Sequence, residues 1–420
     1  MEHLLPTHHS LEVPVAKVVV LGGCGGIGRV AVRALATLDW VGELVVADVR
    51  GEDAAVFAAS LGKGHIRAAE FDATNPESTR AVLAGARVVL NCVGPFYRFG
   101  PPILRAAIDA GVDYVDVCDD LAPTRQMLEL HEEAKAKGIS CLVGMGNSPG
   151  LANVFVALCR DMLLDQVEEV DILHIHGGEA EEGPAVIKHR IHAMVNDVPL
   201  FIDGRFIEVR QLEESGAKYT VETDFRNVGR YPVYPYPHPE TITLPRHIPG
   251  LRRATNLGVI FPLSYFQLTQ EMVRVGACTE APLKVGDQTI VPLEFSVAHI
   301  LSRRAELLAA AGVSGPGGCL KVVVAGQKAG KREVYTLSVS SRSAGAGEGT
   351  GIPAAAGAAL MARGQITTKG VFPPEAGPNP LAVLSTALEL SRSLGAIGGD
   401  TIHVERTDAS GTTKPVELPF

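Results

Sequence analysis

The feature that most constrains the fold is a glycine-spaced turn near the N-terminus. The apolar run Val18–Leu21 is followed by Gly23, Gly25 and Gly28, in the spacing G-x-G-x-x-G, and then by a helix-forming segment. This spacing allows a tight turn, a close approach of the backbone to a pyrophosphate, and close packing of the following helix on its strand. Phosphates are favoured there because the first N–H groups of a helix point at the turn. The turn therefore predicts a strand–turn–helix unit that binds a dinucleotide.

A second predicted strand supplies the acid that such a unit needs. The run Glu43–Ala47 ends at Asp48, 20 residues after Gly28, which is the spacing of the acid that binds the ribose. Asp48 disfavours a 2′-phosphate by charge repulsion, whereas Arg50 can partly offset that charge. The sequence thus predicts NAD as the cofactor, with NADP possible.

Composition excludes several classes of protein. The chain has 420 residues, of which 46% are hydrophobic and 20% charged, enough for two domains with separate cores. The 47 acidic residues outnumber the 38 basic ones, which argues against nucleic acid or an anionic membrane as a partner. No apolar run has the length of a membrane span, no signal-peptide pattern is present, and the seven cysteines form no C-x-x-C pair. We therefore expect a cytoplasmic protein with reduced thiols.

Strand-like and helical runs alternate over the first 155 residues. The predicted strands are Val18–Leu21, Leu44–Ala47, Ile66–Glu70, Val88–Cys92, Tyr114–Val117 and Ser140–Val143. The predicted helices are Ile27–Leu38, Asp53–Leu61, Pro76–Leu83, Pro101–Ala110 and Pro123–Lys137. This alternation predicts an α/β domain, a doubly wound parallel sheet of the Rossmann type, over residues 1–155.

Beyond residue 155 the pattern changes to alternating polar and apolar runs. Glu169–His176, Lys321–Ala325 and Arg332–Val339 are such runs, and they predict a second, α+β domain with a mostly antiparallel sheet over residues 156–345. The segment Tyr231–Glu240 is too rich in proline for a central strand and too aromatic for a solvated linker. We expect it to line a cleft.

Glycines and turn residues indicate the structure of two C-terminal segments. Ser341–Gly351 has four glycines at alternate positions, which predicts a flexible crossing into a helix at Ile352–Ala362. The tail after Gly398 predicts a hairpin or a loosely held end.

Candidate cofactor contacts lie in the glycine turn and in the loops that follow the predicted strands. Loops at the carboxyl edge of a parallel sheet are where such ligands bind. Asn147 could bond the carboxamide, although a plain turn explains it as well. The full set is Gly23, Gly25, Gly26, Ile27, Gly28, Asp48, Arg50, Asp72, Asn91, Val93, Gly94, Pro95 and Asn147.

Candidate catalytic and substrate-binding residues come from the same edge and from the aromatic segment. Hydride transfer needs a positioned substrate and a proton acceptor. Tyr97 could offer its hydroxyl or be a structural tyrosine, and Asp119 and Asp120 could handle a proton or an ammonium, or cap a helix. The predicted catalytic residues are Tyr97, Asp119 and His238, and the predicted substrate-binding residues are Phe96, Asp120 and Glu240.

Two histidine pairs and three arginines could belong to other kinds of site. His174 with His176, and His189 with His192, lack a cysteine or carboxylate at ligand spacing, so no metal is predicted. Arg246, Arg252 and Arg253 could bind a substrate carboxylate, but surface ion pairing is the commoner role.

The ordered series of motifs resembles the saccharopine dehydrogenase-like amino-acid oxidoreductases, and within them the lysine 6-dehydrogenases. The segments that carry the resemblance are residues 22–28, Val88–Tyr97, Ala110–Val117, Leu128–Ala134, Val143–Asn153, Gly349–Ala355 and Ile366–Glu375. The resemblance implies a Rossmann domain, a second domain with the substrate site and the contact of a homodimer, and a C-terminal part, residues 346–420, that returns to the first domain. Around Cys118 the two carboxylates Asp119 and Asp120 depart from the family pattern, which leaves the substrate open.

The resemblance also implies NAD(P)-dependent chemistry at a C–N bond of an amino acid or a polyamine-like small molecule. The first expectation is oxidative deamination. The alternative is reductive condensation of an amine with an aldehyde or a keto acid, and a second alternative is a non-catalytic nucleotide-binding sensor.

Overall fold

The computed structural model describes residues 16–179, 182–341, 345–395 and 402–418, without the side chain of residue 346. Residues 342–344 of the predicted crossing and residues 399–401 of the predicted tail lie outside these ranges. Among the described helices, none is long and apolar enough to cross a membrane.

The first domain is the predicted parallel sheet. Its first six strands are β1 (Ala16–Leu21), β2 (Val41–Asp48), β3 (Ile66–Glu70), β4 (Val88–Asn91), β5 (Asp113–Asp116) and β6 (Ser140–Leu142). Its helices are α1 (Gly26–Ala36), α2 (Gly51–Ser60), α3 (Pro76–Leu83), α4 (Phe96–Ala110), α5 (Leu121–Leu128) and α6 (His131–Ala136). All strand pairs in this sheet are parallel, and Val18–Leu21 of β1 are fully buried.

Two helices of this domain differ from prediction. Helix α4 begins five residues before Pro101 and carries Pro101 and Pro102 inside it. The predicted helix Pro123–Lys137 is instead two helices, α5 and α6. A proline is usually read as a helix start because it donates no hydrogen bond, and that reading placed the first boundary too late.

The second domain is built on a mixed ten-stranded sheet. Eight of its strands are β7 (Gln166–Gly177), β8 (Val198–Ile202), β9 (Arg205–Val209), β10 (Val221–Phe225), β11 (Gly229–Pro235), β12 (Arg253–Phe261), β15 (Gly317–Lys328) and β16 (Lys331–Ser341). The other two come from the C-terminal segment, and a separate hairpin is formed by β13 (Leu283–Val285) and β14 (Gln288–Ile290). Its helices are α7 (Leu151–Leu158), α8 (Pro184–Val195), α9 (Glu214–Ala217), α10 (Glu240–His247), α11 (Leu263–Arg274) and α12 (Pro292–Ala310). Only β12 and β7 pair in parallel among the described strands of this sheet, so the prediction of a mostly antiparallel sheet is confirmed.

The aromatic and proline-rich segment is partly a strand. Residues up to Pro235 form β11, which lies between β10 and β12. The expectation that this segment cannot be a strand inside the sheet is therefore wrong. Its later part does line a cavity, through Tyr236 and His238.

The C-terminal segment returns to both sheets. It forms α13 (Ala346–Ala362), β17 (Gly370–Phe372), α14 (Pro380–Ser393), β18 (His403–Thr407) and β19 (Thr413–Pro415). Strand β17 extends the first sheet beside β6, which completes the order β17-β6-β5-β4-β1-β2-β3. The hairpin β18–β19 joins β16 of the second sheet, so the prediction that the whole tail packs on the first domain is wrong.

The glycine-rich crossing is largely helical. Helix α13 begins at Ala346, six residues before the predicted start. A Cβ on Gly351 would lie 2.8 Å from Val30 Cβ and 2.9 Å from the main-chain oxygen of Ile27. Glycine is therefore required for the close packing of α13 on α1, and the prediction of flexibility does not hold for residues 346–351.

Candidate active site between the two sheets

The glycine turn has the geometry of a nucleotide cradle. Gly22 adopts a left-handed φ of 71°. A Cβ on Gly28 would lie 2.1 Å from the main-chain oxygen of Gly22, so only glycine fits there. Gly25 is the N-cap of α1 and no side chain caps that helix. The first N–H groups of α1 therefore remain available to a phosphate, and these residues fit a dinucleotide.

The predicted ribose-binding acid is held by two partners. One oxygen of Asp48 accepts from the main-chain N–H of Cys24 at 3.0 Å, and the other accepts from the main chain and side chain of Arg50 at 3.1 and 3.3 Å. Asp48 is buried, whereas the Arg50 side chain is 55% exposed. The guanidinium neutralises the carboxylate at the edge where a 2′-phosphate would lie, which makes NADP acceptable as well as NAD.

A cavity of about 590 Å³ opens between the two sheets. The glycine turn reaches it through Ile27, and the loops after β4, β5 and β6 each contribute side chains. Its other walls come from strands β7, β12, β15 and β16 and from helices α8, α13 and α14. The cavity thus joins the predicted nucleotide site to the second domain, and small-molecule sites occur preferentially at such domain interfaces.

Three polar side chains from different elements meet in this cavity. Asp119 follows β5, His189 lies on α8, and His238 precedes α10, and one nitrogen or oxygen atom of each lies within 4.8 Å of the others. Oxygen Oδ1 of Asp120 lies 3.6 Å from Nδ1 of His189. Such spacing suits a bound cation, whether a substrate ammonium or a metal ion, and the expectation that no metal binds stays a prediction.

The sequence had suggested other pairs of histidines, His174 with His176 and His189 with His192. His192, the predicted neighbour of His189, is exposed and faces Glu280 at 3.4 Å. His174 and His176 do share one face of β7 and line the cavity. The cluster with Asp119 was missed because its members come from distant parts of the chain.

His238 is kept neutral by its surroundings. Its side chain is 8% exposed and stacks on His174, with ring centroids 5.2 Å apart and an interplanar angle of 5°. Burial lowers the pKa of His238 well below its ordinary value, and the charges of His174, His189 and His176 act in the same direction. Burial also lowers the pKa of His174 to about 4. A neutral imidazole can accept a proton from a substrate.

Glu240 lies directly behind His238 and outside the cavity wall. Ser148 donates its hydroxyl to Oε1 of Glu240, and Asn256 donates to the same oxygen at 3.2 Å. Oxygen Oε2 has no hydrogen-bond partner among the described residues and lies 4.0 Å from Nδ1 of His238. Burial raises the pKa of Glu240 to about 7. Glu240 therefore lies behind His238 and outside the lining of the cavity, whereas the sequence had predicted that it binds the substrate.

A buried network fixes the three loops under the cavity. The Asn91 amide donates to the Tyr114 hydroxyl at 3.0 Å, and that hydroxyl donates to Oδ2 of Asp116 at 2.8 Å. The other oxygen of Asp116 accepts main-chain N–H groups of Cys118 at 3.1 Å and Gly144 at 2.7 Å. Asn91, predicted as a cofactor contact, therefore acts on the loops after β4, β5 and β6.

The structure separates the remaining predicted residues into two groups. Gly94, Pro95, Phe96 and Asn147 line the cavity with Asp120. Asp120 occupies the N-cap position of α5 but makes no capping hydrogen bond with its side chain, which leaves the carboxylate available. Burial and the charge of Asp119 raise the pKa of Asp120.

Tyr97 and Asp72 lie elsewhere. Tyr97 is in the first turn of α4, is 71% exposed, and does not line the cavity. The early start of α4 is the reason, because it directs this side chain to solvent. Asp72 accepts from Thr74 in an exposed turn after β3. Val93 donates its main-chain N–H to Asn91 and is half-buried.

Two of the three arginines considered from the sequence, Arg252 and Arg253, line a different cleft, and another arginine lines the main cavity. Arg252 and Arg253 line a polar cleft with Glu169, and Arg253 pairs with Asp171 at 2.8 Å. In the main cavity the guanidinium is that of Arg190. Nothing in the local pattern marks Arg190, because the burial of a charged residue depends on partners from other elements.

Comparisons with known proteins agree with this geometry. Residues 18–142 match the model of the saccharopine dehydrogenase NADP binding domain. Carboxyaminopropylagmatine dehydrogenase of Synechocystis is 26% identical, over 85% of this chain and 92% of that protein. Carboxynorspermidine synthase of Vibrio cholerae is 24% identical, over 91% of this chain and 96% of that protein.

A solved structure shares the fold over nearly the full length. Saccharopine dehydrogenase (L-Glu forming) of Saccharomyces cerevisiae superposes with a TM-score of 0.68 at 15% identity, and the match covers 96% of this chain and 100% of that one. Residues 18–142 thus form a domain that matches the saccharopine dehydrogenase NADP binding domain, and the chain shares the fold of that solved saccharopine dehydrogenase.

Proposed function

We propose that this protein is an NAD(P)-dependent oxidoreductase that makes a secondary amine by reducing the imine of an amine and a carbonyl compound. The observation that carries the proposal is the cavity in which Asp119, His189 and His238 face the loops of the nucleotide site. The relatives named for carboxyaminopropylagmatine and carboxynorspermidine support a polyamine-related substrate.

The reaction has a simple balance. An amine and a carbonyl compound lose water and form a C=N bond. Bound reduced nicotinamide supplies the hydride that the imine carbon accepts. The nitrogen takes one proton, either before or after this step, and the product is a secondary amine.

The chain's own residues position the charge and the proton. Asp119 and Asp120 line the cavity, and carboxylates there stabilise the positive charge of the ammonium and of the protonated imine. Neutral His238 accepts the proton that the ammonium must lose before it can attack a carbonyl group. Ser148, which is itself bonded to Glu240, holds that imidazole in place, and the two packed sheets limit the entry of water.

The same residues serve the reverse direction. Oxidation of a primary amine to an imine that water then hydrolyses needs the same neutral base and the same cation site. Sequence motifs put this lysine 6-dehydrogenase-like reaction first, and the relatives favour condensation. A homodimer in the cytoplasm stays a prediction in either case.

Two assays distinguish these reactions. Purified protein is mixed with NADPH or NADH, a diamine or basic amino acid, and an aldehyde or keto acid, and absorbance of reduced nicotinamide is followed. We expect consumption only when amine and carbonyl compound are both present. Reduction of NAD⁺ or NADP⁺ by an amine alone would assign oxidative deamination. Silence in both assays, with nucleotide still bound, would favour the non-catalytic sensor.

A further inference from the structure

Ser148 links a buried carboxylate to an imidazole of the cavity wall. Its hydroxyl donates to Oε1 of Glu240, and the same oxygen lies 3.3 Å from Nδ1 of His238. Asn256 donates its Nδ2 to the Ser148 oxygen at 3.0 Å and to Oε1 of Glu240 at 3.2 Å. Ser148 and His238 line the cavity, whereas Glu240 lies outside its lining and is fully buried. The hydrogen-bonded path from His238 through Ser148 therefore leads out of the cavity to a carboxylate.

Asn256 fixes the direction of each hydrogen bond along this path. Its Nδ2 must face Glu240, because an amide oxygen there would meet a carboxylate oxygen. Oδ1 of Asn256 then accepts from Nε2 of His174 at 3.0 Å. The Ser148 oxygen thus accepts from Asn256, and its hydroxyl proton is donated to ionised Glu240. One lone pair of that oxygen is left, so Nδ1 of His238 must donate to it. The proton of the neutral imidazole then lies on Nδ1, and Nε2 is the free base.

Protonation of Glu240 reverses these directions. A proton on Oε1 of Glu240 has the Ser148 oxygen as its acceptor. A proton on Oε2 would be left unpaired, because this oxygen has no hydrogen-bond partner among the described residues and lies 4.0 Å from Nδ1 of His238. Protonated Glu240 therefore donates to Ser148, and the Ser148 hydroxyl donates to Nδ1 of His238. The imidazole proton must then lie on Nε2, so the protonation state of Glu240 selects the tautomer of His238.

The groups around this path favour a proton on Glu240 over one on His238. Burial raises the pKa of Glu240 to about 7, and the charges of Glu375 after β17 and of Asp119 after β5 act in the same direction, against the Ser148 hydrogen bond. Burial lowers the pKa of His238 well below its ordinary value, and the neighbouring histidines of β7 and α8 lower it further. A proton that enters the path at His238 is therefore more stable on Glu240 than on the imidazole.

We propose that Glu240 is a positioning residue that sets the tautomer of His238 through Ser148 and holds the proton that His238 removes from the substrate amine. When an N–H bond of the ammonium breaks, Nε2 of His238 gains the proton, Nδ1 passes its own proton to Ser148, and the Ser148 hydroxyl proton moves to Glu240. The reverse movement returns a proton from Nε2 to the hydroxyl group that leaves as water when the C=N bond forms. The cycle gains and loses no proton and needs no further reactant. Its proton-holding part rests on the proposed function, whereas the choice of tautomer does not.

Nitrogen NMR of the full chain tests the tautomer without turnover. The histidines are labelled with ¹⁵N, a chelator excludes bound metal ions, and the His238 signals are identified by their loss in His238→Gln. We expect the imidazole proton on Nδ1 at pH 8.5 and on Nε2 at pH 5.5, because the pKa of Glu240, about 7, lies between these values. Glu240→Gln should keep the proton on Nδ1 at both pH values, since the glutamine oxygen still accepts from Ser148 and Asn256.

Steady-state kinetics with NADPH, an amine and an aldehyde test the proton-holding part. Wild-type kcat should rise with pH as Glu240 becomes ionised near its pKa of about 7. Glu240→Gln should lose this rise and lower kcat about 10- to 100-fold at pH 8. KM for the amine should stay within about threefold, because Glu240 lies outside the lining of the cavity.

The matched control is Glu375→Gln. Glu375 is another buried carboxyl group with a pKa raised by burial, and it accepts from Asn153 instead of Ser148. Glu375→Gln should therefore keep the rise of kcat with pH, and kcat at pH 8 should stay within about threefold of wild type.

The outcomes overturn different claims. A His238 tautomer that is the same at both pH values, or that changes equally in Glu240→Gln, would overturn the coupling. If Glu240→Gln does not fold, judged by circular dichroism, Ser148→Ala takes its place, because it removes the hydroxyl that joins the two groups and should also abolish the change. A rise of kcat with pH that persists in Glu240→Gln would overturn the proton-holding part. A tautomer change in a protein that consumes reduced nicotinamide with no amine and carbonyl pair would overturn the proposed reaction and leave the coupling standing.

Discussion

Replacing Glu240 by glutamine should make the protein more stable above neutral pH. Glu240 is fully buried and its pKa is raised by burial from 4.5 to about 7. A carboxyl group with a raised pKa contributes most to folding below pH 4.5, where it is protonated in both states, and this contribution is lost as the pH rises to about 7. Glutamine keeps the oxygen that accepts from Ser148 and Asn256, and it carries no charge at any pH.

The size of the effect follows from the shift in pKa. The rise of this pKa from 4.5 to about 7 corresponds to about 3 kcal/mol. Most of it develops between pH 5 and pH 8, because the unfolded carboxyl is already ionised there while the folded one still holds its proton. The free energy of unfolding of Glu240→Gln, relative to wild type, should therefore rise by roughly 2 to 3 kcal/mol over this interval.

Urea unfolding at pH 5 and pH 8 measures this difference. The matched control is Glu389→Gln, because Glu389 is an exposed residue of α14, and its stability difference from wild type should change little with pH. A Glu240→Gln difference that is the same at both pH values would refute the reasoning. It would mean that the Glu240 carboxylate is as well stabilised in the folded protein as in water.

Three further substitutions test the nucleotide site and its support. Gly28→Ala should abolish NADPH binding, since the new methyl would lie 2.1 Å from a main-chain oxygen of the turn. The control Gly64→Ala, at an exposed glycine before β3 with no atom close to the new methyl, should retain binding. Fluorescence titration that finds the two variants alike would contradict the assigned geometry. Arg50→Ala exposes the charge of Asp48 to the 2′-phosphate, so NADPH affinity should fall about tenfold while NADH affinity stays within threefold. Asp116→Ala removes the acceptor of two main-chain N–H groups and a tyrosine hydroxyl. It should lower the free energy of unfolding at pH 8 by about 3 kcal/mol. A loss below ~1 kcal/mol would show that the loops after β4, β5 and β6 are held by other contacts.

The elements that could be predicted are those whose residue pattern lies within a few neighbouring positions of the chain. The strands β1 to β6 are short apolar runs between turn residues, and their observed bounds lie close to the predicted ones. Strand β17 was missed because it has only three residues and pairs with β6, more than 200 positions earlier. No local pattern can report such a contact.

The candidate site was predictable only where loops follow strands. Asp119 and Asp120 follow β5, so their place at the sheet edge comes from the order of elements. His238 was found because an aromatic and proline-rich segment is unusual for a solvated loop. Tyr97 was misplaced through the start of one helix. Arg190 gave no signal, because its burial depends on packing against Tyr265 of α11, which no local pattern reports.

The late position of β17 in the chain affects how the nucleotide domain can fold. Six strands of the first sheet are available once residue 142 has been synthesised, but the edge of β6 stays unpaired until residue 372 follows. Unpaired edges are the sites at which sheets of separate chains join. A fragment cut at residue 155 would carry the whole glycine turn and an open β6 edge. Its tendency to aggregate should fall when a peptide covering β17 is added.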